Sequence, residues 1–158
     1  SSAFPSNAET VLVSRRDKDP YLMKPTVFDG GSGLISSTDD YMKFAMMLLN
    51  KGKVGKKRIL SRKSIEILSS NHLSQSVISS ADYPPGKGFG ITVGITLDPA
   101  QAGEYGSAGN YYWGGAASTF FWVDKKEKLA AVFMTQVLAG PPNLGDRYRT
   151  LVYQAIDD

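Results

Sequence analysis

The segment that most suggests a binding or catalytic site runs from Tyr111 to Thr119 and reads Tyr-Tyr-Trp-Gly-Gly-Ala-Ala-Ser-Thr. The adjacent residues Gly114 and Gly115 precede a run of bulky residues, and glycines allow a ligand to approach the backbone closely. Backbone N–H groups exposed at such a place could stabilise a developing oxyanion. The alternative, which the local sequence favours, is a β-bulge or a tight corner packed against another strand.

The usual sequence contexts of a catalytic serine are absent from this chain. No serine has glycine two residues before and two residues after it, and none is followed three residues later by lysine. A Ser–His–Asp triad would have to use His72, which more plausibly caps a helix end or bonds a backbone carbonyl than acts as a base. Glu66, Glu104 and Glu127 lie in unrelated contexts, so paired-carboxylate catalysis has weak support.

Composition bounds the class of protein. The 158 residues suffice for one domain with a sizeable core, and 42% are hydrophobic and 21% charged, which is an ordinary globular balance. The lack of cysteine excludes disulfides, thiol catalysis and cysteine zinc sites, and a single histidine excludes multi-histidine metal sites. No metal or cofactor is therefore expected. The net charge of +3 is too small to indicate nucleic-acid binding, and no apolar run is long enough for a membrane span.

The first residues give little information about where the protein begins or in which compartment it is located. The chain does not begin with Met and shows no signal-peptide pattern, so we expect the protein to begin upstream of Ser1. A bacterial periplasmic or cytoplasmic location is compatible with the lack of cysteine, which does not separate the two. A short strand is predicted at residues 11–15, followed by a turn at 17–20 and a flexible glycine-rich loop at 30–33.

A first helix is predicted over residues 38–50. Ser37 or Thr38 can cap its backbone N–H groups, and Asp39 and Asp40 suit the positive N-terminal end. The apolar residues at helical spacing, which should form one buried stripe, are Tyr41, Phe44, Ala45, Leu48 and Leu49.

Two further helices and a basic connector are predicted. Ser61 should cap a helix that runs to about residue 70 with Ile65 and Leu68 facing inward. The basic run over residues 51–63 is either an anion-binding patch or a solvated connector, and the connector is favoured because no aromatic residue interleaves the charges. After the break at residues 140–142, Asn143 should cap a last helix that ends near residue 156.

The second half of the chain has the two-residue period of β-strands. Residues 88–97 alternate bulky and small side chains and predict one strand with a bulky face and a small face. Further strands are predicted within residues 103–113, at 119–123 and at 129–136. Helices, then an antiparallel meander, then a closing helix indicate an α+β fold, an antiparallel sheet with packed helices.

Taken in order, these segments resemble one family of serine hydrolases. The run from Gly31 to Tyr41, the Asn71-His72-Leu73 tripeptide and Gly88-Phe89-Gly90 resemble its loop, helix end and strand start. Tyr112-Trp113-Gly114-Gly115-Ala116-Ala117 resembles its third active-site motif. The family is the serine β-lactamase-related group, which comprises class C β-lactamases, penicillin-binding proteins and family VIII carboxylesterases. The Trp-Gly-Gly form is most similar to the esterase branch.

The resemblance implies a division of the active site. The family's nucleophile is the Ser of Ser-x-x-Lys, with that Lys and a Tyr from a second motif as base, and both motifs precede the region that this chain resembles. Trp113, Gly114 and Gly115 would stand where β-lactamases have Lys-Thr-Gly, and the Ala116 N–H would be one oxyanion donor. Residues 1–158 would then be a single partial domain, the C-terminal part of the β-lactamase/transpeptidase-like fold.

The resemblance also implies the function and the partners. The complete protein would be an esterase-like serine hydrolase acting on a small ester or amide, and this chain alone would lack the nucleophile. In the resembled fold, N-terminal strands lie beside the last strand, here residues 129–136. The expected partner is therefore an N-terminal fragment of the same protein, or a second copy pairing through the sheet edge. The alternative is a non-catalytic binding or oligomerisation domain derived from the same fold.

Overall fold

The computed structural model describes Lys24 and residues 26–27, 30–31, 34–138 and 143–157. The chain divides into two compact units, Ser1–Ser37 and Thr38–Asp158, and every helix and strand of the described residues lies in the second. The predicted strand at 11–15, the turn at 17–20 and the break at 140–142 lie outside the described residues, as does part of the loop at 30–33. The interpretation of residues 1–158 as one partial domain stays a prediction.

The second unit alternates short helices with strands before closing on a helix. In chain order the elements are α1 (Thr38–Leu49), β1 (Lys53–Val54), β2 (Lys57–Arg58), α2 (Arg62–Leu68), α3 (Gln75–Ile78), β3 (Lys87–Phe89), β4 (Gly94–Thr96), α4 (Pro99–Ala102), β5 (Tyr111–Gly115), β6 (Thr119–Asp124), β7 (Leu129–Phe133) and α5 (Leu144–Gln154). Strands β3 to β7 form one antiparallel sheet in sequence order, and β1 and β2 form a separate hairpin. The predicted antiparallel meander is confirmed.

The sheet is covered by a helix on each face. Phe121 and Val123 of β6 and Val132 of β7 pack with Ala45 and Leu48 of α1 in the main apolar core. On the opposite face, the β6 rings and Phe133 contact the α5 tyrosines; these ring pairs include Phe120–Tyr148, Trp122–Tyr148, Trp122–Tyr153 and Phe133–Tyr148. Alternate residues of β6 thus face different helices, as the two-residue period requires.

Helix α1 confirms the predicted element but not all of its predicted stripe. Ala45 and Leu48 are buried as expected, whereas Phe44 is 42% exposed and Met47, which the stripe omitted, is buried. The helix contacts β1 as well as β6 and β7, so its buried face is wider than one helical stripe. Phe44 still meets the Phe121 ring edge-on at 6.0 Å, at the margin of that face.

The prediction of one strand over residues 88–97 is wrong, because this segment forms the β3–β4 hairpin. The chain leaves the ladder after Phe89, where the Gly90 N–H donates to Val93 O at 2.8 Å and the Ile91 N–H donates to Leu68 O at 3.1 Å. A Cβ on Gly90 would overlap the Leu68 carbonyl oxygen, so only glycine fits at this close approach.

The hairpin also overturns the predicted division into a bulky face and a small face. Phe89 pairs with Gly94, and Gly88 pairs with Ile95, so each face carries one bulky and one small residue. The small residues make room for neighbours, since a Cβ on Gly94 would lie 2.8 Å from the Tyr112 ring.

Several element boundaries differ from the predicted ones. Strand β7 ends at Phe133 rather than at residue 136, and β5 runs two residues beyond the predicted limit, to Gly115. Helix α4 was not predicted, although Asp98 accepts the Ala100 and Gln101 N–H groups in an ordinary N-cap. Asn143 is the N-cap residue of α5 as expected, but its φ of 63° is left-handed and its side chain makes no capping hydrogen bond.

Candidate functional site

The end of β5 that carries the Trp-Gly-Gly sequence has a strand neighbour on one side. β5 pairs with β6 along its whole length, from Tyr111 opposite Val123 to Gly115 opposite Thr119. β4 reaches only Tyr111 and Tyr112. Within the described part of the chain, Trp113, Gly114 and Gly115 therefore have no strand on their β4 side, and their backbone edge is open to a ligand.

A tight corner follows this open edge. The Ser118 N–H donates to Gly115 O at 3.1 Å, and Ser118 has a left-handed φ of 58°, so residues 116–118 form a three-residue hairpin loop. The corner is tied to the segment after β7, because the Ser118 hydroxyl donates to Val137 O at 2.8 Å and the Thr135 hydroxyl donates to Ala117 O. The corner that the sequence allowed as the alternative is thus present. Within the described residues, the exposed Ala116 donates its N–H to no other residue.

The Trp113 indole is half-exposed and braced from one side. The Phe89 ring meets it edge-on at 5.3 Å, with 84° between the ring planes. Phe89 is itself held at both backbone groups, since its N–H donates to Asn71 Oδ1 at 3.1 Å and its carbonyl accepts from the His72 N–H at 2.8 Å. The turn after α2 therefore fixes the position of β3, and Phe89 of β3 in turn supports the Trp113 ring beside Gly114 and Gly115.

His72 has a structural place in this turn. Its Nε2 lies 2.8 Å from Ile67 O, which confirms the predicted bond to a backbone carbonyl at a helix end. The predicted second helix is confirmed as α2, and the Ser61 hydroxyl caps it by accepting the Ser64 N–H at 2.9 Å. The basic run contains the exposed β1–β2 hairpin, so the favoured interpretation as a solvated connector agrees with the structure.

A cluster of buried charges, which sequence reasoning missed, lies beneath Tyr112 on the α5 side of the sheet. The Glu104 carboxylate pairs with Lys87 and with Arg149, whose Nη1 lies 2.8 Å from Glu104 Oε1, and it accepts a hydrogen bond from Thr96. Burial alone would raise the pKa of Glu104, but the hydrogen bonds from Lys87 and Thr96 and the Arg149 charge outweigh it and lower that pKa. No local spacing predicts this cluster, because its members stand far apart in the sequence.

Neither a metal-binding group nor a membrane helix is found in the described residues. No three side chains among their His, Asp and Glu residues are placed to hold a metal ion together. None of the helices that the structure describes has the length and apolar character needed to cross a bilayer.

A protein-family model and two curated proteins match most of this chain in sequence. The family model described as Beta-lactamase matches residues 3–155. Protein Rv1367c of Mycobacterium tuberculosis strain H37Rv and the uncharacterized protein MT1414 of strain CDC 1551 are each 30% identical to the chain over 124 residues. The alignment covers 74% of this chain and 31% of each relative, so the chain spans about a third of their length.

Solved structures share the fold at lower identity. EstCE1, described as a hydrolase with promiscuous acyltransferase activity, has a TM-score of 0.67 and 23% identity over 78% of this chain and 31% of its own. Unliganded simvastatin synthase (LovD) from Aspergillus terreus has a TM-score of 0.62 and 17% identity over 78% of this chain and 36% of its own. At these identities the likeness concerns the fold, and it confirms the predicted α+β class.

Proposed function

We propose, since this chain belongs to the β-lactamase family, that the complete protein is a serine hydrolase with esterase-like specificity and that this chain supplies its third active-site motif. The family resemblance indicated by the sequence is confirmed. The observation that carries the proposal is the open edge of β5, where Trp113, Gly114 and Gly115 lack a strand on one side and the Ala116 N–H lacks a partner within the described residues.

The proposed reaction proceeds through an acyl-enzyme. The nucleophilic serine comes from a Ser-x-x-Lys motif outside this chain, and its oxygen bonds to the ester carbonyl carbon while its proton passes to the Lys or Tyr base. The carbonyl electron pair moves to oxygen, and the Ala116 N–H donates to that oxyanion. Collapse expels the alcohol with a proton from the base, and water then releases the acid and restores the serine.

The exposed Trp113 determines the substrate class in this proposal. An indole brings no charge, whereas the Lys that β-lactamases have at this position can face an anionic substrate carboxylate. Trp113 is 48% exposed and braced by Phe89, so its ring is available as an apolar wall for a neutral substrate.

We expect the full-length protein to hydrolyse a p-nitrophenyl ester of a short or medium acid with a higher kcat/KM than a cephalosporin. The physical reason is that position 113 carries a neutral indole where β-lactamases have a Lys, since a charge-assisted bond to a carboxylate is stronger than a neutral one. Parallel assays of both substrates on one preparation measure the ratio. A larger kcat/KM for the cephalosporin would contradict the proposed specificity.

A side chain at Gly115 should obstruct the oxyanion site. We expect Gly115→Ala in the full-length protein to lower kcat/KM for the ester about 100-fold, the scale of losing one oxyanion donor. The same Cβ would lie 2.5 Å from Thr119 Oγ1, so a local clash is a competing cause of any loss.

The double variant Gly115→Ala/Thr119→Ala separates the two causes. Truncating Thr119 removes the hydroxyl that the new methyl group would meet. We expect the double variant to stay as slow as Gly115→Ala and Thr119→Ala alone to keep most of the activity. Recovery of activity in the double variant would mean that the clash, rather than access to the oxyanion site, explains the loss.

β7 supports the proposed partner, an N-terminal strand of the same protein. Within the described residues it has a strand neighbour only on its β6 side. Both faces of β7 are covered, since Val132 packs in the α1 core and the Phe133 ring lies 4.9 Å from the Tyr148 ring of α5. A strand covered on both faces is typical of a sheet interior. The same edge could pair with a second copy, which is how the alternative of a non-catalytic oligomerisation domain would use it.

A further inference from the structure

The segment that contains the β1–β2 hairpin concentrates positive charge that the rest of the chain does not share. Residues 51–63 hold seven of the chain's 18 Lys and Arg residues and none of its 15 Asp and Glu residues. The remaining residues therefore contain more acids than bases, and the net charge of +3 averages over this separation. A separated block of one charge sign is typical of a surface that meets a partner of the opposite sign.

Three of these cations are already engaged within the protein. Arg62 and Lys63 pair with Glu66, and Arg58 donates to two backbone carbonyls. The other four are exposed lysines that form no ion pair within the described residues, namely Lys51, Lys53, Lys56 and Lys57. Solvation of this connector thus leaves four charges available to a partner.

The base of the hairpin is held by hydrogen bonds across it. The Gly52 carbonyl accepts from the Ile59 N–H at 2.8 Å and from the Leu60 N–H at 3.2 Å. Arg58 Nη1 donates to the carbonyls of Lys51 and Leu60, each at 3.0 Å. The lysines therefore stand on a fixed backbone, and less conformational entropy is lost when they meet a partner.

One face of the hairpin also exposes apolar side chains. Val54 pairs with Lys57, and Ile59, two residues further along, continues the ladder through its bond to Gly52, so alternation places Val54, Lys57 and Ile59 on one face. Val54 is 47% exposed and Ile59 is 60% exposed. A Cβ on Gly55 would meet no atom within 4 Å, so in the described part of the chain the turn projects into solvent.

We propose that the β1–β2 hairpin binds the surface of an anionic lipid bilayer. The four lysines meet the lipid phosphates, while Val54 and Ile59 enter the boundary between headgroups and acyl chains. The apolar stem of Lys57 lies along the same face and keeps its ammonium group in water. Single-stranded nucleic acid fits less well, because residues 51–63 include no aromatic side chain on which bases could stack. The proposed hydrolysis uses none of these residues, so the two proposals stand or fall separately.

Cosedimentation of the full-length protein with lipid vesicles measures this binding. We expect binding to vesicles of phosphatidylglycerol and phosphatidylcholine in equal amounts, and at least about 50-fold weaker binding to phosphatidylcholine alone, because each Lys at an anionic surface contributes about fivefold. Raising the salt from about 0.1 M to about 1 M shortens the screening length from about 10 Å to about 3 Å and should release most of the protein. Equal binding to both kinds of vesicle would overturn the proposal.

Three substitutions at exposed positions locate the contact and identify the partner. Lys57→Glu should weaken binding about 20-fold, since it removes one attraction and adds a repulsion. Arg147→Glu makes the same change of net charge on α5, on the other face of the sheet, and should leave binding unchanged. Val54→Thr keeps the branched shape and all charges but should weaken binding about fivefold, because a hydroxyl replaces a methyl group that enters the lipid boundary.

Equal effects of Lys57→Glu and Arg147→Glu would overturn the location. Unchanged binding of Val54→Thr would overturn the lipid assignment and indicate a soluble polyanion instead. Urea unfolding midpoints equal to that of the wild type show that each variant is folded.

Discussion

The 158-residue chain purified alone should take up no serine-directed phosphonate, whereas the full-length protein should take up one per chain. The reason is chemical, because the chain contains no Ser-x-x-Lys pair and so offers no activated serine. Intact-mass measurement after treatment counts the phosphonates directly. The proposed longer protein is the matched control, since it would share every residue of this chain and add the region that should carry the nucleophile.

The same preparation should not behave as a monomer in solution. β7 lacks a strand neighbour on one side within the described residues, and an exposed strand edge invites pairing with another chain. We expect the measured solution mass to be that of an oligomer, and addition of the N-terminal region to replace self-association by a one-to-one complex. A stable monomer that takes up one phosphonate would contradict both the missing nucleophile and the unpaired edge.

Local patterns predicted the elements whose packing follows their own period. α1 and β6 lie within a residue of their predicted bounds, because a helical period marks α1 and a run of β-forming residues marks β6 in the sequence. The sequence did not predict the β3–β4 hairpin, because the alternation of bulky and small residues continues through its turn at residues 90–93. The turn depends on the contact of Gly90 and Ile91 with the Leu68 carbonyl, a tertiary interaction that no window of the sequence contains.

The sequence likewise predicted the contiguous part of the candidate site and missed the part that tertiary contacts assemble. The Trp-Gly-Gly segment and its corner are contiguous, so sequence could single out Trp113, Gly114, Gly115 and Ala116, and their catalytic role stays a prediction. The charge cluster could not be found, because Lys87, Glu104 and Arg149 meet only when α5 closes on the sheet. The ring contact between Phe89 and Trp113 could not be predicted either, because it depends on the β3–β4 hairpin, which the sequence did not reveal.

Asp124 also makes long-range contacts, and its replacement has the largest expected effect on stability. The residue is fully buried at the end of β6, and both of its carboxylate oxygens are fully used. Oδ2 accepts from the Ser107 N–H and the Tyr153 hydroxyl, each at 2.8 Å, while Oδ1 accepts from the Lys126 and Glu127 N–H groups at 3.0 and 3.2 Å. One side chain thus joins the loop before β5, the β6–β7 turn and α5.

Replacing this carboxylate should weaken the whole unit. Asp124→Asn puts an amide N–H₂ opposite groups that are themselves donors, so at least one side of the network loses its acceptor. We expect the free energy of unfolding of the full-length protein to fall by about 3 kcal/mol, the scale of leaving buried polar groups unpaired. Urea unfolding measures the loss, and the exposed Asp82→Asn is the matched control, expected to stay within about 0.5 kcal/mol of the wild type.

The dependence on pH distinguishes a carboxylate network from a packing defect. Burial would raise the pKa of Asp124, but the hydrogen bonds from Tyr153 and from the N–H groups of Glu127 and Ser107 outweigh it and lower that pKa in the folded protein. A carboxylate with a lowered folded pKa stabilises the protein above its unfolded pKa, near 4, and this contribution disappears as pH falls through the folded value. The difference between wild type and Asp124→Asn should therefore be full at pH 7 and should shrink below about pH 4. A difference of equal size at pH 7 and in acid would assign the loss to packing rather than to the charge.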